Sequence, residues 1–517
     1  MKKTERTEMT EKTERWSVMG GPKRGVLAGG ALGQERHRRS LGVAIGFVLS
    51  FLSVLSDLSA QATATAPSLP KAPTLTVPVV QRATLTNGLR LQVVPMRELP
   101  VVRARLIIEG GARLDGDRPG LATFTANMLD EGAAGRDAFQ LAAEAAYLGS
   151  TLSTGASWDA FTIGLSGPKR TFAQAMPLLA DVVLRPTLAS SEIARQRDLR
   201  IAQLLQLRDQ PEAVANEVFN RVVFPDGHPY HQPISGDSSS TVALDSATVR
   251  QFWIRAADPR RATLIITGEI SLAEARTLAE KALGKWRPPT SPLRAPAKVA
   301  DAPRPATHIV LVDKPGAAQS VVSIGAPGVV RTSPDYPAIT LMNTILGGSF
   351  SARLNDILRE QKGFTYGARS GYTWRPLPGP FVAGSSVRTD VTDSSLAIFF
   401  DEFKKLRDEP VPANELDRAR AYLTLGTLGD FETTGQVNAE LANLTLFGLP
   451  LASIPQELAA IQRLGAADVQ RAAQQYLDPA HLTVVVVGDL QKIRPGIEAL
   501  GLGPVEVRDV TGKEIIK

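Results

Sequence analysis

The sequence predicts an α+β fold built as a tandem duplication of two homologous domains, each a mainly antiparallel sheet packed with helices. The first observation behind this prediction is an internal match: residues 247–270 and 467–490 align without a gap at a constant offset of 220. Both segments read as a helix, an Asp-Pro break, a β-branched strand and a Gly-acid turn. The period is too long for a solenoid and indicates a duplicated domain.

The second observation is the segment between the two halves. Residues 287–306 are rich in Pro and Ala and poor in large apolar side chains, which is typical of a linker. At 517 residues the chain is long enough for several hydrophobic cores. We therefore expect an N-terminal domain over 80–286, the linker, a C-terminal domain over 307–507 and a tail over 508–517.

The third observation is the pattern of the individual elements. The strand cores TLIIT (263–267) and TVVVV (483–487) are continuous apolar runs, which predicts strands that are covered on both faces. A long, mainly helical stretch is predicted over 191–224, interrupted at Pro211. Each half is also predicted to open with two strands, over 88–96 and 101–111 in the first and over 307–315 and 320–328 in the second.

Composition and charge exclude several classes of protein. There is no cysteine, so disulfides and thiolate metal sites are absent. Of the formal charge of +6, residues 1–60 carry +4, and the remaining +2 gives no reason to expect nucleic-acid binding. Five histidines are few for a metalloenzyme: His37, His228, His231, His308 and His481.

The N-terminus reads as a secretory signal. Basic residues at 36–40 precede an uncharged apolar run at 41–56, and the small residues of 59–62 offer a cleavage site after Ala60 or Ala62. We expect a signal region over 1–62, a Pro/Ala-rich spacer over 63–79, a periplasmic location and no membrane span in the mature chain. The apolar run is short for a membrane span, but an uncleaved anchor is the alternative.

The long polar leader before the apolar run needs its own explanation. Either the true start lies downstream, or Arg38-Arg39 belongs to a twin-arginine signal. We favour the downstream start, because RRSLG is a weak version of the twin-arginine pattern.

Roughly residues 80–505 resemble the zinc peptidase family of pitrilysin, insulinase and mitochondrial processing peptidase, the inverzincins, and three segments carry the resemblance. The resemblance implies that the duplicated domains form half of a clamshell. The segments are GGARLDGDRPGLATFTANMLDEGAAG (110–135), FPDGHPYHQPISG (224–236) and LGGSFSARLNDILREQKGFTYG (346–367).

Active members of the family carry H-x-x-E-H on the helix after the first strands, and a Glu on a later helix as third zinc ligand. The resemblance places Thr123, Ala126, Asn127 and Gln203 at these positions. Such side chains are weak ligands for Zn²⁺, which prefers thiolate, imidazole and carboxylate. The resemblance therefore implies a degenerate zinc site and no metal in this chain. Leu121, Phe124 and Met128 form an apolar stripe, so we interpret this helix as structural.

The other histidines do not replace the missing ligands. His228 and His231 lie three residues apart, but Pro229 between them indicates a turn, and the resemblance gives His228 a packing role. His308 and His481 are expected at strand starts, as ordinary residues.

The second half keeps a different element of the family. Active members use an Arg and a Tyr from the C-terminal domain, and the matching residues are Arg359 and Tyr366. A guanidinium and a phenol can donate hydrogen bonds to a substrate carbonyl as negative charge develops on it. We expect Arg359 near the end of a helix whose N-cap is Ser349 or Ser351 and whose stop signal is Gly363. The alternative is an ordinary helix-terminal Arg and a core Tyr.

Some bacterial members of this family are two-chain enzymes, with the zinc ligands on one chain and the Arg/Tyr pair on the other. The resemblance implies that this chain is the zinc-free subunit, with no cofactor of its own and with Zn in a homologous partner. Together the chains would cleave short peptides. The alternatives are a structural or peptide-binding pseudoenzyme, like the core subunits of respiratory complexes, and a homodimeric peptidase with a relocated metal site.

Overall fold

The computed structural model describes residues 75–295, 299 and 302–515. The predicted signal region, the spacer up to residue 74, His37 and part of the linker lie outside these residues. Within the described ranges, no helix is both long enough and apolar enough to cross a membrane.

The N-terminal half contains a six-stranded sheet and a small hairpin. The strands of the sheet are β1 (Gln81–Thr84), β2 (Arg90–Pro95), β3 (Val101–Glu109), β6 (Thr151–Ala156), β7 (Ala160–Pro168) and β8 (Ala262–Gly268), and the hairpin pairs β4 (Gly132–Ala133) with β5 (Arg136–Asp137). The order across the sheet is β1-β2-β8-β3-β7-β6. Only β2 and β8 run parallel, and the other neighbours are antiparallel.

The C-terminal half repeats this sheet. Its strands are β9 (His308–Asp313), β10 (Gln319–Pro327), β11 (Thr365–Tyr372), β12 (Pro380–Arg388), β13 (Thr483–Gly488) and β14 (Val505–Arg508). The order is β11-β12-β10-β13-β9-β14, so five strands correspond to β6, β7, β3, β8 and β2 in turn. Only the sixth strand differs, because β14 runs parallel to its neighbour whereas β1 runs antiparallel. The predicted tandem α+β duplication is confirmed.

Helices surround both sheets. Those of the N-terminal half are α1 (Leu121–Met128), α2 (Ala138–Tyr147), α3 (Lys169–Leu184), α4 (Ser190–Leu207), α5 (Pro211–Val223), α6 (Ser238–Val242), α7 (Ser246–Ala256) and α8 (Leu272–Leu283). Those of the C-terminal half are α9 (Tyr336–Asn343), α10 (Arg353–Asn355), α11 (Thr392–Asp408), α12 (Ala413–Gly429), α13 (Thr434–Phe447), α14 (Ser453–Arg463), α15 (Ala466–Tyr476) and α16 (Leu490–Ala499).

Shorter helical turns complete the described structure. There are π-helical turns at Thr344–Gly348 and Asp356–Gln361, and 3₁₀ turns at Gly111–Leu114, Pro259–Arg261 and Thr389–Val391. The predicted interruption at Pro211 is confirmed, because α4 ends at Leu207 and Pro211 opens α5, where its missing N–H is not needed. The predicted tail begins inside β14 and folds back, with the Ile515 N–H donating to the Val507 carbonyl at 3.0 Å.

The two halves exchange one helix each. Helix α5 packs on β10 and β13 of the C-terminal sheet, where Val218 joins Val485 in one apolar cluster. Helix α13 packs on β3 and β8 of the N-terminal sheet, where Leu441 joins Ile265. Because helices of each half cover the opposite faces, the central strands β8 and β13 are buried along their whole length, as their apolar runs predicted.

Candidate functional site

Helix α1 carries three of the four positions of the predicted degenerate zinc site, Thr123, Ala126 and Asn127, and its start is tightly fixed. Gly120 precedes it with φ 87°, and a Cβ there would lie 2.5 Å from the Ser235 carbonyl oxygen. The buried Asp115 carboxylate accepts hydrogen bonds from the N–H groups of Gly120 (2.9 Å) and Ala122 (2.7 Å). The apolar stripe of α1 is buried, in agreement with its predicted packing role.

Thr123, at the first ligand position, is held by internal hydrogen bonds. Its hydroxyl lies 3.1 Å from the Gly120 carbonyl oxygen and 2.9 Å from that of Ile234. The buried Arg200 of α4 donates from Nη1 to the Thr123 hydroxyl (3.2 Å) and to the Gly120 carbonyl (3.0 Å). The Arg200 guanidinium also stacks over Phe124, 5.2 Å from the ring centre. Sequence reasoning missed Arg200, which is one of three arginines on α4, and nothing in the sequence marks it as the buried one.

Two buried charges flank this position. Burial raises the pKa of Asp115 to about 7, against the opposing effect of its backbone hydrogen bonds and of Arg200. Burial lowers the pKa of Arg200 to about 10, and Asp115 partly offsets that shift. A cation at the predicted zinc-ligand positions would therefore lie beside the Arg200 guanidinium.

The remaining ligand positions are no better suited to zinc. Ala126 is buried and has no donor atom, whereas Asn127 and Gln203 are exposed neutral amides. Among the described residues, no group of three or more His, Cys, Asp or Glu side chains is arranged to hold a metal ion. The neutral donor set and the adjacent guanidinium do not fit a zinc ion.

The segment that contains His228 and His231 forms a turn, as predicted. The N–H of Tyr230 donates to Nδ1 of the buried His228 (3.1 Å), and the His228 ring stacks on Phe224. Burial lowers the pKa of His228 to about 4, with further contributions from Arg375 and His231. His228 therefore packs as a neutral ring.

The neighbouring Tyr230 links the two halves of the chain. Its hydroxyl donates to the Asp159 carboxylate at 2.9 Å. The guanidinium of Arg375, from the C-terminal half, lies 4.3 Å from the Tyr230 ring centre and 4.0 Å from that of Trp158. These contacts join the two halves, and their role is structural because Asp159 and Tyr230 are buried and Trp158 and Arg375 are half-buried.

Arg359 lies in the π-helical turn Asp356–Gln361, which continues α10. The helical segment ends just before Gly363, which has φ 62°, as predicted. The predicted N-cap at Ser349 or Ser351 is wrong. Ala352 occupies the N-cap, without a side-chain hydrogen bond. Ser349 instead directs its hydroxyl to the carbonyl of Thr344, at the preceding π-helical turn.

The Arg359 side chain is held at the surface. Its guanidinium stacks over Phe350, 4.7 Å from the ring centre, and lies 3.5 Å from Glu360. The Arg359 side chain is 35% exposed and Phe350 is 67% exposed. The surface thus presents a guanidinium whose position is set by an aromatic ring.

Tyr366 lies on the edge strand β11 and is 92% exposed. The pairing of β11 with β12 shifts register between Thr365 and Ala368, so Tyr366 sits in a β-bulge, a device that redirects a side chain. The alternative of a core tyrosine is therefore wrong.

One buried residue, Asn355, fixes both flanks of the pair. Its side-chain amide donates to the Phe350 carbonyl (2.7 Å) and accepts from the Ala368 N–H (3.2 Å). It thereby joins the loop under Arg359 to the strand just after Tyr366. Sequence reasoning missed Asn355 and Phe350, and the available signal was a polar residue beside Leu354 on the apolar face of the helix.

Comparison with known proteins identifies the family. Residues 96–235 match the family profile described as Insulinase (Peptidase family M16), and residues 243–423 match the profile described as Peptidase M16 inactive domain. The two matches run almost continuously over well more than half of the chain. The chain therefore belongs to the pitrilysin/insulinase family of peptidases, family M16.

Individual relatives agree with this assignment. An uncharacterized zinc protease of Mycobacterium tuberculosis is 27% identical over 303 residues, which is 56% of this chain and 66% of the relative, just under two thirds of its length. The beta subunit of mitochondrial-processing peptidase from Lentinula edodes is 21% identical over 443 residues, covering 81% of this chain and 91% of that protein. The crystal structure of a peptidase M16 inactive domain from Pseudomonas fluorescens has a TM-score of 0.74 and 27% identity, covering 79% of this chain and 98% of that one.

Proposed function

We propose that this chain is the zinc-free subunit of a periplasmic heterodimeric metallopeptidase of family M16. In this proposal it binds a peptide through Arg359 and Tyr366 and stabilises the transition state of cleavage at a zinc ion held by a homologous partner. The observation that carries the proposal is the placement of the pair, with Tyr366 almost fully exposed on a bulged edge strand and Arg359 stacked at the surface.

The placement suits transition-state stabilisation. Donors that are aimed before the reaction starts need no reorganisation as charge develops on the substrate carbonyl oxygen. Phe350 and the buried Asn355 supply that preorganisation for Arg359 and for the backbone beside Tyr366. The side chains of Arg359 and Tyr366 both lie at the surface and not in the hydrophobic core.

The other half of the molecule supports a partner. Since Thr123, Ala126, Asn127 and Gln203 do not fit zinc, the proposal assigns the zinc-bound hydroxide to the partner chain. One relative is named as the beta subunit of a peptidase, so its name describes an enzyme of more than one chain. The periplasmic location rests on residues 41–62, which lie outside the described structure.

Reconstitution tests the proposal. The chain is purified alone, and together with a zinc-bearing M16 homologue from the same genome, and hydrolysis of quenched fluorescent peptides is measured. We expect activity only from the mixture, a heterodimer in analytical ultracentrifugation, and loss of activity when the partner's zinc is removed by chelation. Activity of the partner alone equal to that of the mixture would contradict the proposal.

The second candidate is a peptide-binding or structural pseudoenzyme. The burial of Arg200 against Thr123 favours it, because the old catalytic position now serves only internal contacts. A stable homodimer that binds peptide and associates with no zinc-bearing homologue would select this candidate. Stoichiometric zinc in the isolated chain would instead favour a homodimeric peptidase with a relocated metal site.

A further inference from the structure

Two arginines lie side by side on the face of the N-terminal sheet. Arg103 and Arg105 are two residues apart on β3, so their side chains leave the same face of the strand. Burial lowers the pKa of Arg105, and the charge of Arg103 lowers it further. Within the described part of the chain, the buried Nε of Arg103 has no hydrogen-bond partner. Two neighbouring cations that are not neutralised repel each other unless an anion joins them.

The strands beside them form a polar trough. Arg105 pairs across the sheet with Gly164 of β7, which pairs in turn with Ser153 of β6. In the next row, Arg103 pairs with Ser166. Gly164 carries no side chain, and the Ser153 hydroxyl fills the space beside it, since a Cβ at Gly164 would lie 2.6 Å from that hydroxyl. The side chains of Arg103, Arg105, Ser153 and Ser166 line a cavity together with Gly164. The resulting cavity has a volume of about 300 Å³.

Helix α13 covers only one side of this face. The Thr267 hydroxyl of β8 donates to the Thr434 carbonyl at 2.9 Å, which fixes the start of the helix. A Cβ on Gly435, in the first turn, would lie 3.5 Å from the Arg103 guanidinium carbon. The partial positive charge of the helix N-terminus therefore adds to that of the arginines. On the other side, Ser153 of the edge strand is exposed, so the trough opens to solvent.

We propose that this trough binds an oxyanion, and that its source is the carboxylate of an acidic peptide. The two guanidinium groups would donate charge-assisted hydrogen bonds to the carboxylate, and the strand hydroxyls would donate further ones. The peptide source rests on the proposed function, and it places an acidic side chain of the substrate on the N-terminal sheet. Free phosphate has the same chemistry and is separated from the peptide by experiment.

The test is isothermal titration calorimetry on the full chain without any partner. The probes are a ten-residue peptide with two glutamates, the same peptide with glutamines, and inorganic phosphate. We expect the acidic peptide to bind at least about tenfold more tightly than the neutral one. Arg103→Gln and Arg105→Gln should each remove that preference, whereas Arg276→Gln, on the exposed side of α8, should keep it.

A second variant covers the case in which an arginine substitution disturbs folding. Ser153→Glu places a carboxylate on the exposed edge strand, one strand beyond Gly164, and should block the trough by occupying it. Equal binding of both peptides, or unchanged binding in the Arg105→Gln and Ser153→Glu chains, overturns the proposal. Arginine-dependent binding of phosphate alone overturns the peptide assignment. None of these results depends on peptide cleavage, so failure here is distinct from failure of the proposed function.

Discussion

Thr123 and Tyr366 are the residues that the sequence predicts at the family's zinc-ligand and substrate-binding positions, one in each half of the chain, and their surroundings are opposite. The Thr123 hydroxyl contacts two carbonyl oxygens and a buried guanidinium. Tyr366 is 92% exposed on a bulged edge strand. In the N-terminal half the Thr123 hydroxyl makes only internal contacts and supports packing. In the C-terminal half Arg359 and Tyr366 lie at the surface, and the buried Asn355 holds the segments beside them. Changes in the first half should therefore alter stability, and changes in the second should alter activity.

The largest effect is expected from the inward-facing half, at Asp115. Its folded-state pKa of about 7 lies above the ordinary value of 3.8, so the folded protein holds the proton more tightly than the unfolded chain. The stability that this group contributes is therefore complete below about pH 4 and is lost as the pH rises through 7. A shift of this size corresponds to on the order of 4 kcal/mol.

Urea unfolding between about pH 4 and pH 8 measures this effect. The wild type should lose more stability across the range than Asp115→Asn, whose amide does not titrate. Asp117→Asn, at a side chain that is 95% exposed, is the matched control and should follow the wild type. An Asp115→Asn protein with the wild-type pH slope would show that the carboxyl titrates as an ordinary surface group.

The outward-facing half should show the reverse behaviour. In the reconstituted complex, Arg359→Ala and Tyr366→Phe should each lower kcat about 10²–10³-fold, about 2.7–4 kcal/mol, as expected for one donor to a developing oxyanion. The melting temperature should stay near that of the wild type, because both side chains lie at the surface.

Matched exposed residues serve as controls for that experiment. Tyr147→Phe removes a hydroxyl from a tyrosine that is 89% exposed, and Arg276→Ala removes a surface guanidinium. Both controls should keep full activity in the complex. Wild-type kcat in the Arg359→Ala and Tyr366→Phe complexes would remove the assigned role and favour the pseudoenzyme.

The comparison also shows where sequence reasoning stops. The duplication was predictable, since the offset of 220 residues reports local helix and strand patterns that recur as α7–β8 and α15–β13. The exchange of α5 and α13 between the halves was not, because it depends on tertiary packing that no periodicity records. Arg200 was missed for the same reason, because its partners Gly120 and Ser235 lie far along the chain. Asn355 was missed although its partners, Phe350 and Ala368, lie in the segments on either side of its helix. The N-cap prediction failed because a π-helical turn supplied a different partner for Ser349.

Rebuilding the lost ligands offers the smallest but most direct test of the inward-facing half. Thr123→His, Ala126→Glu, Asn127→His and Gln203→Glu together restore the donor types that zinc prefers. We expect weak zinc binding while Arg200 remains, since its Nη1 lies 3.2 Å from the present Thr123 hydroxyl and would repel a cation beside the new imidazole. Adding Arg200→Met should tighten zinc binding about tenfold, a typical size for a change beside the ligands.

Competition with a fluorescent zinc chelator measures the two affinities. Arg276→Met in the four-residue background is the control, because it removes an arginine remote from α1. If the rebuilt site binds zinc equally tightly with and without Arg200, the guanidinium is a passive filler. In that case the replaced ligands alone would account for the poor fit to zinc, and the buried Arg200 would have no electrostatic part in it.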